Sequence, residues 1–401
     1  MRASALAVAA IVAVGAAAAF AKSSSQHGGP SPAQLTAGSP ITRHFEYVLN
    51  SGTIYIYSID QHNKLVQTVS VPQIAGDPHG VVASPATGRL YVSFGGEGGS
   101  SGNGSMLAFD LKREKFLWQQ NYPNGIDSMA ITPNGKTIYM PAGESSGNGT
   151  WSIIDAATGN VVGAVQGPAG AHNSIMSQDG KHVYLGGVDD PFLYVASTAT
   201  KQIVKKIGPL HGPGAGRPFT INGSQTLAFN TATSFLGFQV SSIATGKVLY
   251  SVPVPGFTWN PQTFGRTPDH GISLSPNERD LYLIDTPNGY VHVFDVSGLP
   301  ARAPRDVADI KLVHAPPNDG WLQHSRDGRY VYVGRSGGLP GDRLEQRAAG
   351  GDDEPVRRRL RAPSLTASDR CRTSRRSRVA LRAKIDAWNR GWCSSPVPAA
   401  S

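Results

Sequence analysis

Four residues able to do chemistry, His79, Asp127, His172 and His270, each stand five positions ahead of a Ser or Thr that opens a turn: Ser84, Thr132, Ser177 and Ser275. At the equivalent place before two further turns lie Gly216, with Arg217 beside it, and Gly320, with Trp321 beside it. Four ionisable residues in six such positions point to a shared location. Neutral imidazoles bind transition metals well, so His79, His172 and His270, joined by Asp127, make a candidate site for Cu, Zn or Fe. Alternatively, a His or carboxylate base activates water while Arg217 holds an anionic substrate or oxyanion. A third reading is structural: His-Gly and Asp-Ser at a strand start satisfy backbone groups around a rim. No spacing here is as diagnostic as a helical H-E-x-x-H zinc motif, so the residues name a place and not a reaction.

What positions them is a repeat. The turns begin at Ser84, Thr132, Ser177, Ile221, Ser275 and Ser325, at intervals of 48, 45, 44, 54 and 50 residues. Each turn joins two apolar runs, as in GVVAS and RLYVSF or GISLS and DLYLID, which reads as a hairpin. A third run ends in a polar residue and a turn (MLAFDLKRE, WSIIDAATG, VHVFDVSG), and a fourth follows (FLWQQN, VVGAVQG, VLYSVPV). Four short antiparallel strands per repeat predict a blade of a β-propeller. The first strand of each blade lines the central channel, which puts the residues five ahead of the turns in one ring at its mouth.

The apolar-D-x-x-T-G and S-P-x-G-x-x-x-Y-V signatures, over roughly residues 43–338, resemble the exported seven-bladed propellers of the YVTN-repeat family, within the wider lactonase-like and WD40/YVTN group. The resemblance implies an all-β, seven-bladed propeller of four-stranded antiparallel blades. It specifies an activity hardly at all; a lactonase-like hydrolase is the enzymatic reading it suggests. HFEYVL and TIYIYSID near the N-terminus look like second and third strands without a first. The expectation is therefore a last blade closed by both termini.

Two loops between second and third strands are near copies, GGEGGSSGNGS and AGESSGNGT, and bring Glu97 and Glu144 towards the same face. They, Arg217 and Trp321 are the ligand-binding candidates. Neither these loops nor GPGAGRP precede a helix in a parallel unit, so nucleotide binding is excluded. Asp189, Asp190 and Asp285 end second strands at the mouth and are weaker cation candidates; His314 and His324 read as rim or strand residues. There is no G-x-S-x-G elbow, and both cysteines, Cys371 and Cys393, lie near the C-terminus, so the body offers no thiol nucleophile.

Residues 1–21 carry one Arg, an apolar run and a small-x-small ending, Ala19-Phe20-Ala21, which reads as a signal peptide and places the protein in the periplasm or outside the cell, without a stable membrane anchor. Residues 22–42 read as a flexible linker. The net charge of +9 is concentrated beyond Gly341, where 14 Arg and Lys face 7 Asp and Glu. The propeller body is thus near neutral and is not a nucleic-acid binder. Residues 339–401 break the repeat with an Arg-rich stretch. It reads either as a disordered basic extension or as the product of a shifted reading frame, since Gly341–Arg347 moved forward by one nucleotide can encode Val-Ile-Asp-Ser-Ser-Asn-Gly, the strand the repeat owes at that point. The functional expectation is a monomeric propeller that binds a small molecule or a protein segment at its channel mouth; the alternative is a hydrolase or metal-dependent enzyme using the same ring.

Overall fold

The computed structural model describes residues 11–15, 44–50, 52–74, 78–96, 103–212, 216, 218–264, 267–312, 320–335 and 343–345. The chain divides into 1–350 and 351–401, and the second unit lies outside the described residues, as does most of the Arg-rich stretch.

Strands follow one another as antiparallel neighbours in seven sheets. The first holds β1 (Ile11–Gly15), β2 (His44–Asn50), β3 (Thr53–Ser58) and β4 (Lys64–Ser70). The second holds β5 (Pro78–Ser84), β6 (Arg89–Phe94), β7 (Ser105–Asp110) and β8 (Lys115–Asn121). In the third are β9 (Ala130–Ile131), β10 (Thr137–Pro141), β11 (Thr150–Asp155) and β12 (Val161–Gln166), and in the fourth β13 (Ala171–Met176), β14 (His182–Gly187), β15 (Leu193–Ser197) and β16 (Ile203–Ile207). The fifth comprises β17 (Phe219–Ile221), β18 (Leu227–Ala232), β19 (Phe235–Ser242) and β20 (Val248–Pro253), the sixth β21 (Ile272–Leu274), β22 (Asp280–Asp285), β23 (Tyr290–Asp295) and β24 (Arg305–Lys311). The seventh has three strands, β25 (Gly320–His324), β26 (Tyr330–Arg335) and β27 (Arg343–Glu345). Four-stranded antiparallel blades are thus as expected, but among the described residues six are complete, not seven.

The local chemistry explains the period. In the first hairpin turn of a blade the hydroxyl of Thr132, Ser177, Ser275 or Ser325 accepts the amide five residues on at 3.0–3.1 Å and donates to the Asn or Asp two residues on. In the second, Asp155 Oδ1 accepts the Ala157 and Thr158 amides, folding D-x-x-T-G back on itself. Side chains of the middle strands are buried on both faces, and those of the fourth strands alternate with solvent.

The core is a ring of interfaces between successive sheets. Leu49 and Ile56 of the first pack on Leu90 and Phe109 of the second; Tyr91 and Met106 pack on Ile138 and Ile154; and so on round to Ile284 and Val293 against Leu322 and Val331. A small cluster of Ile59, Tyr330 and Tyr332 joins the seventh sheet to the first, where the Tyr332 hydroxyl donates to Asn63 Oδ1 at 2.7 Å.

The strand order corrects one expectation. The missing first strand of the N-terminal sheet comes from Ile11–Gly15, inside the apolar segment read as a leader, and not from the C-terminal end. The physical reason is that β2 has an edge to satisfy and IVAVG is a β-branched run that can pair with it. At the other end, Arg343–Glu345 pairs with Tyr330–Tyr332 as a third strand, beyond the boundary drawn at residue 338.

Candidate functional site at the channel mouth

Asp127 precedes β9 and is held by its own turn: Oδ1 accepts the Ser128 amide at 2.7 Å and the Ser128 hydroxyl at 3.3 Å. A parallel bridge from Ser128 to Asn173 fixes this segment beside the start of β13, which carries His172. His172 Nδ1 lies 3.0 Å from Asp127 Oδ2, with both side chains more than nine-tenths buried. Asp127 Oδ2 also receives the Glu144 amide at 3.3 Å, and Glu144 Oε2 lies 3.9 Å from His172 Nδ1. A carboxylate that only accepts forces the imidazole proton onto Nδ1. The lone pair then sits on His172 Nε2, which is buried and makes no hydrogen bond.

Two rings complete the cluster. His270, just ahead of β21, lies with its ring centre 5.4 Å from that of His172, and Trp321 of β25 stands 5.0 Å from His270, edge to face, and 6.2 Å from His172. The Trp321 indole N–H is likewise buried without an acceptor. An acceptor, a donor and aromatic surface therefore meet where the first strands of the third, fourth, sixth and seventh sheets begin.

Of the sequence candidates, Asp127, Glu144, His172, His270 and Trp321 come together. His79 stands half-buried at the start of β5, at a bulge that leaves Pro78 and Gly80 opposite Phe94 and Ser93; Gly80 abuts the Asp127 carbonyl so closely that a Cβ there would lie 2.6 Å from it. Arg217, Glu97 and His314 lie outside the described residues. Among the described residues no group of three or more His, Cys, Asp or Glu side chains is arranged to hold a metal ion. The loop around Glu144 is a hydrogen-bonded 3-10 turn, with the Ser146 hydroxyl on the Gly143 carbonyl and Asn148 Oδ1 on the Thr150 amide. Asp190 caps its turn through the Phe192 amide and the Tyr194 hydroxyl.

Beside the mouth lies a buried polar chain that the sequence reading missed. Asp269, next to His270, is fully buried; it accepts the Gly237 amide at 2.7 Å through Oδ2 and leaves Oδ1 without a partner. Burial, and secondarily the charge of Asp285, push its carboxyl well above the usual carboxylate range. Asp285 is bound by Asn288 and touches His292 Nε2 at 3.2 Å, while Asp309 meets His292 Nδ1 at 2.6 Å. Burial pulls the His292 imidazole down, but the two carboxylates outweigh it and its pKa is raised. The signal was present in YVHVFD, a histidine inside an otherwise apolar strand. His324 differs: it shares a hydrogen bond with Ser273 and burial drives it down to about 4.

No family model and no curated protein matches this chain. Solved structures do. It is similar to Kuenenia stuttgartiensis hydrazine synthase, with 15% identity over 72% of this chain and 88% of that one and a TM-score of 0.58. It is also similar to a chain of the mitotic checkpoint complex, with 15% identity over 73% and 84% and a TM-score of 0.57. The Myceliophteria thermophila Cps50 (Swd1) β-propeller domain matches with 9% identity over 72% and 88% and a TM-score of 0.53. At such identities the likeness is one of fold, and the class it defines, with the sheets described above, is the β-propeller.

Proposed function

We propose that this chain is an exported, monomeric propeller of the seven-bladed YVTN or lactonase-like type that binds a small molecule at the mouth of its channel. The observation that carries the reading is the Asp127–His172 pair, which holds the histidine in one tautomer and leaves Nε2 with nothing to bond. A buried acceptor in that condition costs stability unless a ligand or water completes it. Trp321 supplies a donor and an aromatic wall beside it. A protein segment entering the mouth is the second ligand class; that a propeller chain of the mitotic checkpoint complex is a structural neighbour favours keeping it.

The catalytic reading uses the same atoms. Asp127 orients His172, whose Nε2 takes a proton from a water that attacks an ester or lactone carbonyl. A metal-dependent version would need His79, His172 and His270 to close together around Cu, Zn or Fe, because as they stand they are not arranged to hold one.

The test is elemental analysis of the purified protein, then ligand screening by Trp fluorescence against wild type and His172→Ala. A ligand bound by wild type and lost in His172→Ala, in metal-free protein, supports binding. Turnover that falls by orders of magnitude in His172→Ala supports catalysis. Metal at near-stoichiometric level, lost in the His79/His172/His270 alanine variant, supports the metal site. Ligand affinity unchanged in His172→Ala overturns the proposal.

A further inference from the structure

The outer edge of the propeller carries a repeated feature away from the channel. In six sheets the pairing of the third strand with the fourth slips by one residue near the start of the fourth, leaving one residue bulged. The bulged residues are Val66, Leu117, Val162, Val204, Leu249 and Val307, a branched aliphatic every time. The first five are exposed, by 43%, 37%, 53%, 54% and 38%. Among the described residues, the large apolar side chains that stand exposed all lie at these bulges or one residue ahead of them.

Strand propensity does not account for this. Beyond the bulge the exposed positions of the same strands are mostly polar, as at Thr68, Gln119, Gln166, Lys206 and Ser251. Edge protection does not account for it either: a bulge alone interrupts edge pairing, and proteins that guard an edge place charge or proline there, not an aliphatic group. The bulge also rules out a partner strand laid continuously along the edge, because pairing would break where the apolar groups stand.

Charge narrows the choice. Strands β4, β8, β12, β16 and β20 contain no Asp or Glu, whereas Lys64 and Lys115 stand two residues ahead of their bulges, Lys247 does the same, and Lys205 follows Val204. Of the carboxylates in the adjoining hairpins, Asp110 turns onto the Lys112 and Arg113 amides and Asp155 onto its own turn, while Glu114 is exposed beside Lys115. Sheets one to three pack in sequence and double the apolar group, with Leu65, Phe116 and Val161 ahead of the bulge. A short apolar peg beside a long-stemmed cation suits a surface that is apolar just below an anionic layer.

We propose that the rim of the first three sheets docks peripherally on an anionic lipid bilayer, with Val66, Leu117 and Val162 and their neighbours entering the headgroup boundary and Lys64 and Lys115 meeting the phosphates. This contact is separate from the channel mouth and does not depend on what binds there.

The experiment uses the full chain with vesicles of phosphatidylcholine alone or mixed with phosphatidylglycerol. A Phe116→Trp variant reports depth at the rim, as its difference spectrum against the parent. Expected are sedimentation with the anionic vesicles only, a blue shift of that difference emission, and binding about tenfold weaker or more in a Val66→Ser/Leu117→Ser/Val162→Ser variant of unchanged circular dichroism. The Arg-rich C-terminal stretch alone would also bind anionic vesicles, but without a blue shift and equally in the triple variant; that result overturns the proposal. So does absence of binding by the folded chain, or light scattering that shows a dimer lost in the triple variant, which would assign the rim to a second copy.

Discussion

Asp269 and His292 make this protein's stability fall as pH rises, and His324 makes it fall as pH drops. A carboxyl whose folded pKa lies above its unfolded value costs stability as pH rises from about 4 towards the folded value, because the unfolded state ionises first. Asp269→Asn keeps an oxygen for the Gly237 amide and removes the buried charge. It should raise the midpoint of thermal unfolding at pH 8 and do little at pH 4; a lower midpoint at pH 8 would refute it. His324 works at the acid limb. With its folded pKa at about 4, below the unfolded value near 6.5, its contribution is complete above 6.5 and is lost as pH falls towards 4. His292, raised by its two carboxylates, contributes fully below about 6.5 and less as pH climbs through the raised value. Urea titrations of His324→Gln should therefore flatten the acid limb alone and leave the alkaline limb as in wild type.

At the scale of the element, a few side chains set the period. The hydroxyls of Ser275 and Ser325 each bond a backbone amide across the turn, so Ser275→Ala should cost about 1 kcal/mol in chemical denaturation with the slope unchanged. A cost near zero would mean that the turn forms without its staple. That repetition is why the blades were legible in the sequence, even where Asn222 replaces the hydroxyl and takes the Thr226 and Leu227 amides, and with them the first-strand positions of Asp127, His172, His270 and Trp321. The Asp127–His172 contact was not legible, because it depends on how two neighbouring sheets sit side by side. Nor were the bulges: a fourth strand reads as alternating whether or not one residue slips, and only the pairing register separates Val162 from Val161. Asp269 escaped notice beside His270 because its partner, Gly237, lies in another sheet.

For the molecule as a whole, the seam between the seventh sheet and the first decides whether the ring holds. Ile59, Tyr330 and Tyr332 form the smallest of the apolar clusters, and the Tyr332–Asn63 bond crosses the seam with Arg329 approaching Asp60 at 3.9 Å. The first sheet, moreover, owes its innermost strand to Ile11–Gly15, which export with cleavage after Ala21 would remove. That loss would leave the β2 edge open, beside a seventh sheet that has three strands among the described residues. Shifted forward by one nucleotide, Gly341–Arg347 can encode Val-Ile-Asp-Ser-Ser-Asn-Gly, an apolar strand ending in the Asp turn used by the other blades, and a frame restored there would supply chain from which a closing strand can come. The expected outcome is that residues 22–401 as they stand unfold several degrees below the frame-restored mature chain and exchange amide hydrogens first in β2, β25 and β26. Equal midpoints and uniform exchange would show that the seam closes without either end, and would make the Arg-rich stretch a genuine extension.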